Sequence, residues 1–199
     1  METSETEIKA RPEPVASEAA SNARSAVAAL KYIVDKLGGK ADIRQVLLIL
    51  YFADRLHLAM FGRPVVEDEY IAMKSGPQPK WISREFEALR LNHNGRAEAR
   101  MDLPAHFRFE DAHVVALVNS EINMDCLSET DADCLHAACL EHKYLTMWAL
   151  EEKARDYAWQ HADADNHISI YDMARAGGAN EALIEYMEIT AENDRAVIC

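Results

Sequence analysis

Residues 43–79, IRQVLLILYFADRLHLAMFGRPVVEDEYIAMKSGPQP, carry the change of pattern that decides the fold. Val46 to Ala53 is an almost unbroken apolar run. Asp42 ahead of it is an N-cap residue type, Gly62 after it is a C-terminal stop, and Pro64 forbids continuation. A helix apolar nearly all round belongs in the middle of a domain, with neighbours on several sides. Arg44, Gln45, Asp54, Arg55 and His57 leave no run long enough for a membrane span. Beyond the Gly62-Arg63-Pro64 corner the pattern becomes period-2, with Tyr70, Ala72 and Lys74 alternating against Ile71, Met73 and Ser75. Gly76-Pro77-Gln78-Pro79 then reads as a rigid turn. One buried helix, a tight corner, a short strand and a proline-stiffened loop form the unit around which the rest must pack.

The chain has 199 residues, of which 49% are apolar and 28% charged, ordinary values for a soluble globular protein with one real core. The opening residues METSETEIKARPEP have no apolar h-region, so no signal peptide is read there. Cys126, Cys134, Cys139 and Cys199 fit neither a disulfide framework nor a zinc pattern, and reduced thiols point to the cytoplasm. The net charge of −13 is uneven. Residues 1–119 hold 16 Lys+Arg against 17 Asp+Glu, whereas residues 120–199 hold 5 against 17. The acidic C-terminal part disfavours nucleic acid. It suits either a basic protein partner or a solvated surface that maintains solubility.

Residues 1–20 have no helical or strand period and are expected to form a flexible N-terminal tail ahead of a domain over residues 21–193. Val27, Leu30, Val34 and Leu37 line one helix face, closed by Gly38-Gly39. Trp81 to Leu91 reads as an amphipathic helix, and Asn92 to Gly95 as a turn. Arg96 to Met101 and His106 to Phe109 read as short strands, joining residues 69–74 in one three-stranded antiparallel sheet. Ala112 to Ile122 reads as a helix. Ser128-Glu129-Thr130-Asp131 resembles a capping box. Thr146 caps a helix expected to run through Trp159, Ser169 caps another that ends at Gly177-Gly178, and a last helix spans residues 181–191. The fold class is mainly α (α+β): a single helical domain around a buried central helix, with a small antiparallel β-sheet inserted.

Chemistry is sparsely signalled. No zinc spacing, nucleophile elbow or phosphate-binding glycine pattern is present, so no metal and no cofactor is expected. Asp54 and His57, three apart on one helix, could act as an acid/base pair. The favoured reading is that they bond each other, Arg55, Arg63 or nearby backbone and hold the Gly62 corner, because buried polar groups must find partners. Lys74, Lys80 and Arg84 flank the Gly-Pro-x-Pro loop with Tyr70 and Trp81 interleaved, a composition that can bind nucleic acid but also suits a protein interface or a structural turn with solvated lysines. Tyr70, Lys74, Gly76, Pro77, Pro79, Lys80 and Trp81 are therefore the candidate partner-binding residues.

The same stretch resembles the signature of the Panacea domain of SocA-like antitoxins. Tyr51, Ala53, Asp54, His57, Leu58, Gly62, Arg63, Pro64, Tyr70, Ala72, Met73, Lys74, Gly76, Pro77 and Pro79 stand where that pattern places them, and Gln78 departs from it. Leu127 to Asp131 and Arg155 to Trp159 are similar to two later family segments, with Arg155 where a His is common. ISIYDMARAGGANEALIEYM (168–187) is similar to the closing one. The resemblance implies a non-enzymatic antitoxin that binds a cognate toxin, with no catalytic residues. It also implies, for part of the family, delivery of the toxin to the ClpXP protease. Tyr51, Asp54, His57, Gly62, Arg63, Pro64, Asp156 and Trp159 carry over as a structural motif. An accessory protein without a toxin partner, and an enzyme using Asp54 and His57, are the alternatives.

Overall fold

The computed structural model describes residues 14–91 and 101–197. Helix α2 (Ile43–Phe61) runs through the centre, packed against α1 (Pro14–Lys36), α5 (Glu129–His142), α6 (Met147–Ala154) and α8 (Ile170–Gly177). Its ends follow the sequence. The Asp42 carboxylate accepts from the Arg44 amide at 2.9 Å, and Gly62 closes the helix at φ 72°, donating to the Leu58 carbonyl. Val46 to Asp54 are all buried, together with His57 and Leu58. Each fully buried Leu, Ile or Phe contributes on the order of 1.5–3 kcal/mol, so this one helix anchors the core.

Helix α1 opens at Pro14, not at Ser21, so residues 14–20 of the expected tail are helical. Proline suits the first helical position, where no intrahelical N–H bond is lost. The Ala- and Glu-containing run after it favours helix by propensity, without an apolar period to announce it.

The single expected sheet is two. Strand β1 (Lys40–Asp42) pairs with β5 (Val114–Leu117), which pairs with β4 (Phe107–Phe109). Strand β2 (Tyr70–Met73) lies between β3 (Gly76–Pro79) and β6 (His167–Ile168). Both sheets are antiparallel throughout. The segment 112–122, expected as a helix, thus supplies a strand: a four-residue apolar run cannot be told from a helix turn by period, and β-branched Val114-Val115 favour the strand. Gly76 to Pro79 is a strand as well. Its prolines are tolerated because β3 is an edge of its sheet. The expected strand 96–101 and the turn before it fall largely outside the described residues.

Helix α3 (Lys80–Arg90) follows β3 directly, and the short α4 (Leu103–His106) precedes β4. The predicted capping box is present at Ser128, whose hydroxyl accepts from the Asp131 amide while Asp131 accepts from the Ser128 amide at 2.8 Å. The helix expected through Trp159 is broken. Helix α6 ends at Ala154, and Asp156 starts α7 (Tyr157–Gln160) by accepting from the Ala158 and Trp159 amides. Helix α8 ends at Gly178, φ 97°, and α9 (Glu181–Val197) is longer than expected. Among the described residues no helix is long and apolar enough to cross a membrane.

Candidate functional site

Four polar side chains on α2 build a buried frame. Asp54, fully buried, accepts from the Val65 and Val66 amides at 2.8 and 3.0 Å through Oδ1, and from the Tyr70 hydroxyl at 2.7 Å through Oδ2. Burial pushes its carboxyl up to about 7, against the pull of Tyr70 and those two amides. The carboxylate thereby folds the chain after Pro64 back onto α2 and fixes β2 in place.

His57 is also fully buried. Its Nδ1 lies 2.7 Å from the Arg63 carbonyl, and its Nε2 faces both the Thr130 hydroxyl at 3.0 Å and the Asp131 carboxylate at 3.1 Å. Burial pushes its pKa down, against the pull of the Arg63 carbonyl and the Asp131 carboxylate. Arg63 in turn reaches the Ser128 hydroxyl and the Asp131 carboxylate, at 3.1 and 2.9 Å. Asp54 and His57 therefore hold two halves of one corner and spend their bonds on separate partners. Neither offers a solvent-exposed atom for acid/base work on a substrate.

One and a half turns from His57, Tyr51 donates to the Asp156 carboxylate at 2.9 Å, and Arg55 Nη1 pairs with it at 2.6 Å. Asp156 is thus at once the cap of α7 and its tie to α2. From α7, Trp159 Nε1 donates to the Met73 carbonyl, and Arg155 Nη2 donates to the Lys74 carbonyl, both at 3.0 Å. The β2–β3 turn is thereby tied to the α6–α7 junction.

Of the expected partner-binding residues, Tyr70, Gly76, Pro77 and Pro79 are buried. Gly76 has φ 108°, and a Cβ there would stand 3.1 Å from Leu48 Cδ2. These four serve the core. Lys74 is exposed at the turn beside Met73, Lys80 is exposed but paired with Glu69 at 2.5 Å, and half-buried Trp81 donates Nε1–H to the Glu67 carbonyl. Asp68 caps α3 from outside, accepting from the Trp81 and Ile82 amides, because Pro79 at the cap has no side-chain acceptor.

A different surface was missed by sequence reading. Leu140, Tyr144 and Trp148 are 56, 86 and 72% exposed. Lys143 continues the αR conformation past α5, so Leu140 and Tyr144 share a face one turn apart, opposite buried Leu135, Ala138, Cys139 and His142. Trp148 follows on the first turn of α6, which the Lys153–Glu141 ion pair holds beside the end of α5. The signal was available: these three residues fall out of phase with the buried stripe.

Among the described residues, no group of His, Cys, Asp or Glu is placed to hold a metal. Cys134 and Cys139 are buried, and burial pushes their thiols up to about 11 and about 12.

A family model described as antitoxin SocA-like, Panacea domain, matches residues 48–160. That span runs from the first third of α2 to the end of α7 and includes the polar frame, strands β2 and β3, and Leu140, Tyr144 and Trp148. No curated protein and no solved structure matches the chain.

Proposed function

Because the chain belongs to the SocA-like antitoxin family of the Panacea domain, we propose that it binds a cognate protein toxin in the cytoplasm and silences it by direct complex formation, without catalysis. The observation that carries this reading is the exposed Leu140, Tyr144 and Trp148 face inside the family-matched span. Trp and Tyr are the residue types that dominate binding energy at protein interfaces. Three such side chains left to solvent on adjoining helices suit a docking surface. The buried motif residues act one step back, by holding α2, α5, α6 and α7 in fixed relation.

The Met73–Lys74 turn is the second contact in this reading, since Arg155 and Trp159 hold it rigid and it loses little entropy on docking. The acidic charge of residues 120–199 favours a basic toxin. Delivery of the bound toxin to ClpXP is a further step that the family makes available.

Growth rescue tests the reading. Cells expressing the neighbouring open reading frame should stop growing, and co-expression of this chain should restore growth. Tyr144→Asp with Trp148→Asp should abolish rescue while leaving the circular dichroism spectrum unchanged. Repetition in cells lacking ClpXP separates blocking from delivery. A neighbour that is harmless alone would remove the reading's support, and rescue by the double variant equal to wild type would place the contact away from Leu140, Tyr144 and Trp148.

A further inference from the structure

A groove of about 910 Å³ opens between α1 residues 20–31 and the segments 101–106 and 119–126. Its floor holds a lysine. Lys31 is only 4% exposed, and its ammonium donates to Asn119 Oδ1 at 2.6 Å and to the Glu121 carbonyl. Both acceptors are neutral. Among the described residues no carboxylate lies within ion-pair distance of Lys31 Nζ, so a buried positive charge lacks a counter-charge and has a third N–H to give.

His106 lines the same groove, and its Nδ1 is buried without a partner. Burial and the nearby Lys31 charge hold this imidazole below its ordinary pKa, with the Asp102 carboxylate pulling the other way. Arg24 stands two turns before Lys31 on α1, exposed at the groove's mouth. Val27, Ala28, Met101, Ile122 and Met124 supply an apolar stretch of the remaining wall, beside the polar Asp102, Asn119, Glu121, Asn123 and Asp125.

We propose that this groove binds an aliphatic monocarboxylate, its carboxylate seated on Lys31 and His106 and its apolar chain laid along Val27, Met101 and Met124. A single negative charge satisfies the buried ammonium and the orphaned imidazole nitrogen together. The apolar wall accounts for the tail. Asp102, Glu121 and Asp125 stand exposed among the lining residues and would repel a di- or polyanion, which disfavours nucleotides and other phosphate esters. The ligand's source is either a free acid or the C-terminal carboxylate of an apolar peptide, and the test has an arm for each.

Calorimetric titration of the full chain with octanoate, 1-octanol, and a short apolar peptide with a free or an amidated C-terminus tests the assignment. Octanoate should bind one-to-one with a Kd below about 1 mM, at least about tenfold tighter than octanol. Lys31→Met should reduce octanoate affinity by about tenfold or more, the equivalent of 1.4 kcal/mol. Arg24→Glu, at an exposed site that leaves the fold intact, should weaken it severalfold. Peptide binding that depends on the free terminus would assign the source to a protein end; octanoate binding alone would assign it to a free acid. Octanoate that binds no better than octanol, or equally well to wild type and both variants, would overturn the proposal.

Discussion

The Tyr70 hydroxyl donates to Asp54 Oδ2 at 2.7 Å, joining the central helix to a strand 16 residues later. The same carboxylate takes the Val65 and Val66 amides, so one side chain closes the whole turn between α2 and β2. Asp54→Ala leaves three buried donors without an acceptor. Each orphaned donor costs roughly 1–3 kcal/mol, so urea unfolding should show a loss of at least about 3 kcal/mol. A loss under about 1 kcal/mol would mean that the turn holds without the carboxylate.

Gly177 is the point of closest approach between α8 and α2. A Cβ there would lie 2.4 Å from the Arg55 carbonyl oxygen and 2.8 Å from Ala59 Cβ. Backbone cannot swing aside as a side chain can, so Gly177→Ala must push the helices apart. The expected cost is about 1–3 kcal/mol, read as a lowered urea midpoint. Gly178→Asn, at φ 97° with open space around it, should cost clearly less.

His142 and Asp68 give stability opposite pH dependences. His142 is buried and stacked on Phe52 with ring centroids 4.0 Å apart, and burial pushes its pKa down. A depressed base contributes stability that is present above its unfolded pKa of about 6.5 and is lost as pH falls. Asp68 is pushed up to about 6, chiefly by burial. A raised acid contributes stability that is present below its unfolded pKa and is lost as pH rises through about 6. Relative to wild type, His142→Phe should therefore lose less stability between pH 7.5 and 5.0, and Asp68→Asn less between pH 5.0 and 7.5. Parallel urea titrations at those two pH values read both differences, and a sign reversal in either would refute its assignment.

The Arg155 and Trp159 clamp predicts a local effect. Trp159→Phe removes the 3.0 Å bond to the Met73 carbonyl and should cost about 1 kcal/mol in global stability. Amide exchange around Met73 to Gly76 should rise more than elsewhere. Uniform exchange across the chain would show that the turn is held by other means.

The sequence was most readable where a local cause acts alone. Asp42, Ser128, Thr146 and Ser169 all cap the helices expected of them, because capping needs only one hydroxyl or carboxylate and the next turn's amides. It misled where pairing partners are distant. Val114 to Leu117 becomes a strand because β1 and β4 flank it, and Gly76 to Pro79 because β2 lies alongside. Asp156 interrupts a helix-like run because Tyr51 and Arg55 hold it from 105 and 101 residues away. Burial of Asp54 and His57 demands partners, and the sequence could not say that these would be separate ones. The partner-binding residues were chosen by composition, and composition does not say which side of a strand faces the core.

The most direct measurement is co-purification of the tagged chain with the product of the neighbouring open reading frame, for wild type and for Tyr144→Asp with Trp148→Asp. The wild type should retain the neighbour in stoichiometric amount, and the double variant, equally folded, should release it. A wild type that retains nothing would contradict the antitoxin reading. A double variant that retains the neighbour in full would instead place the contact away from the Leu140–Trp148 face.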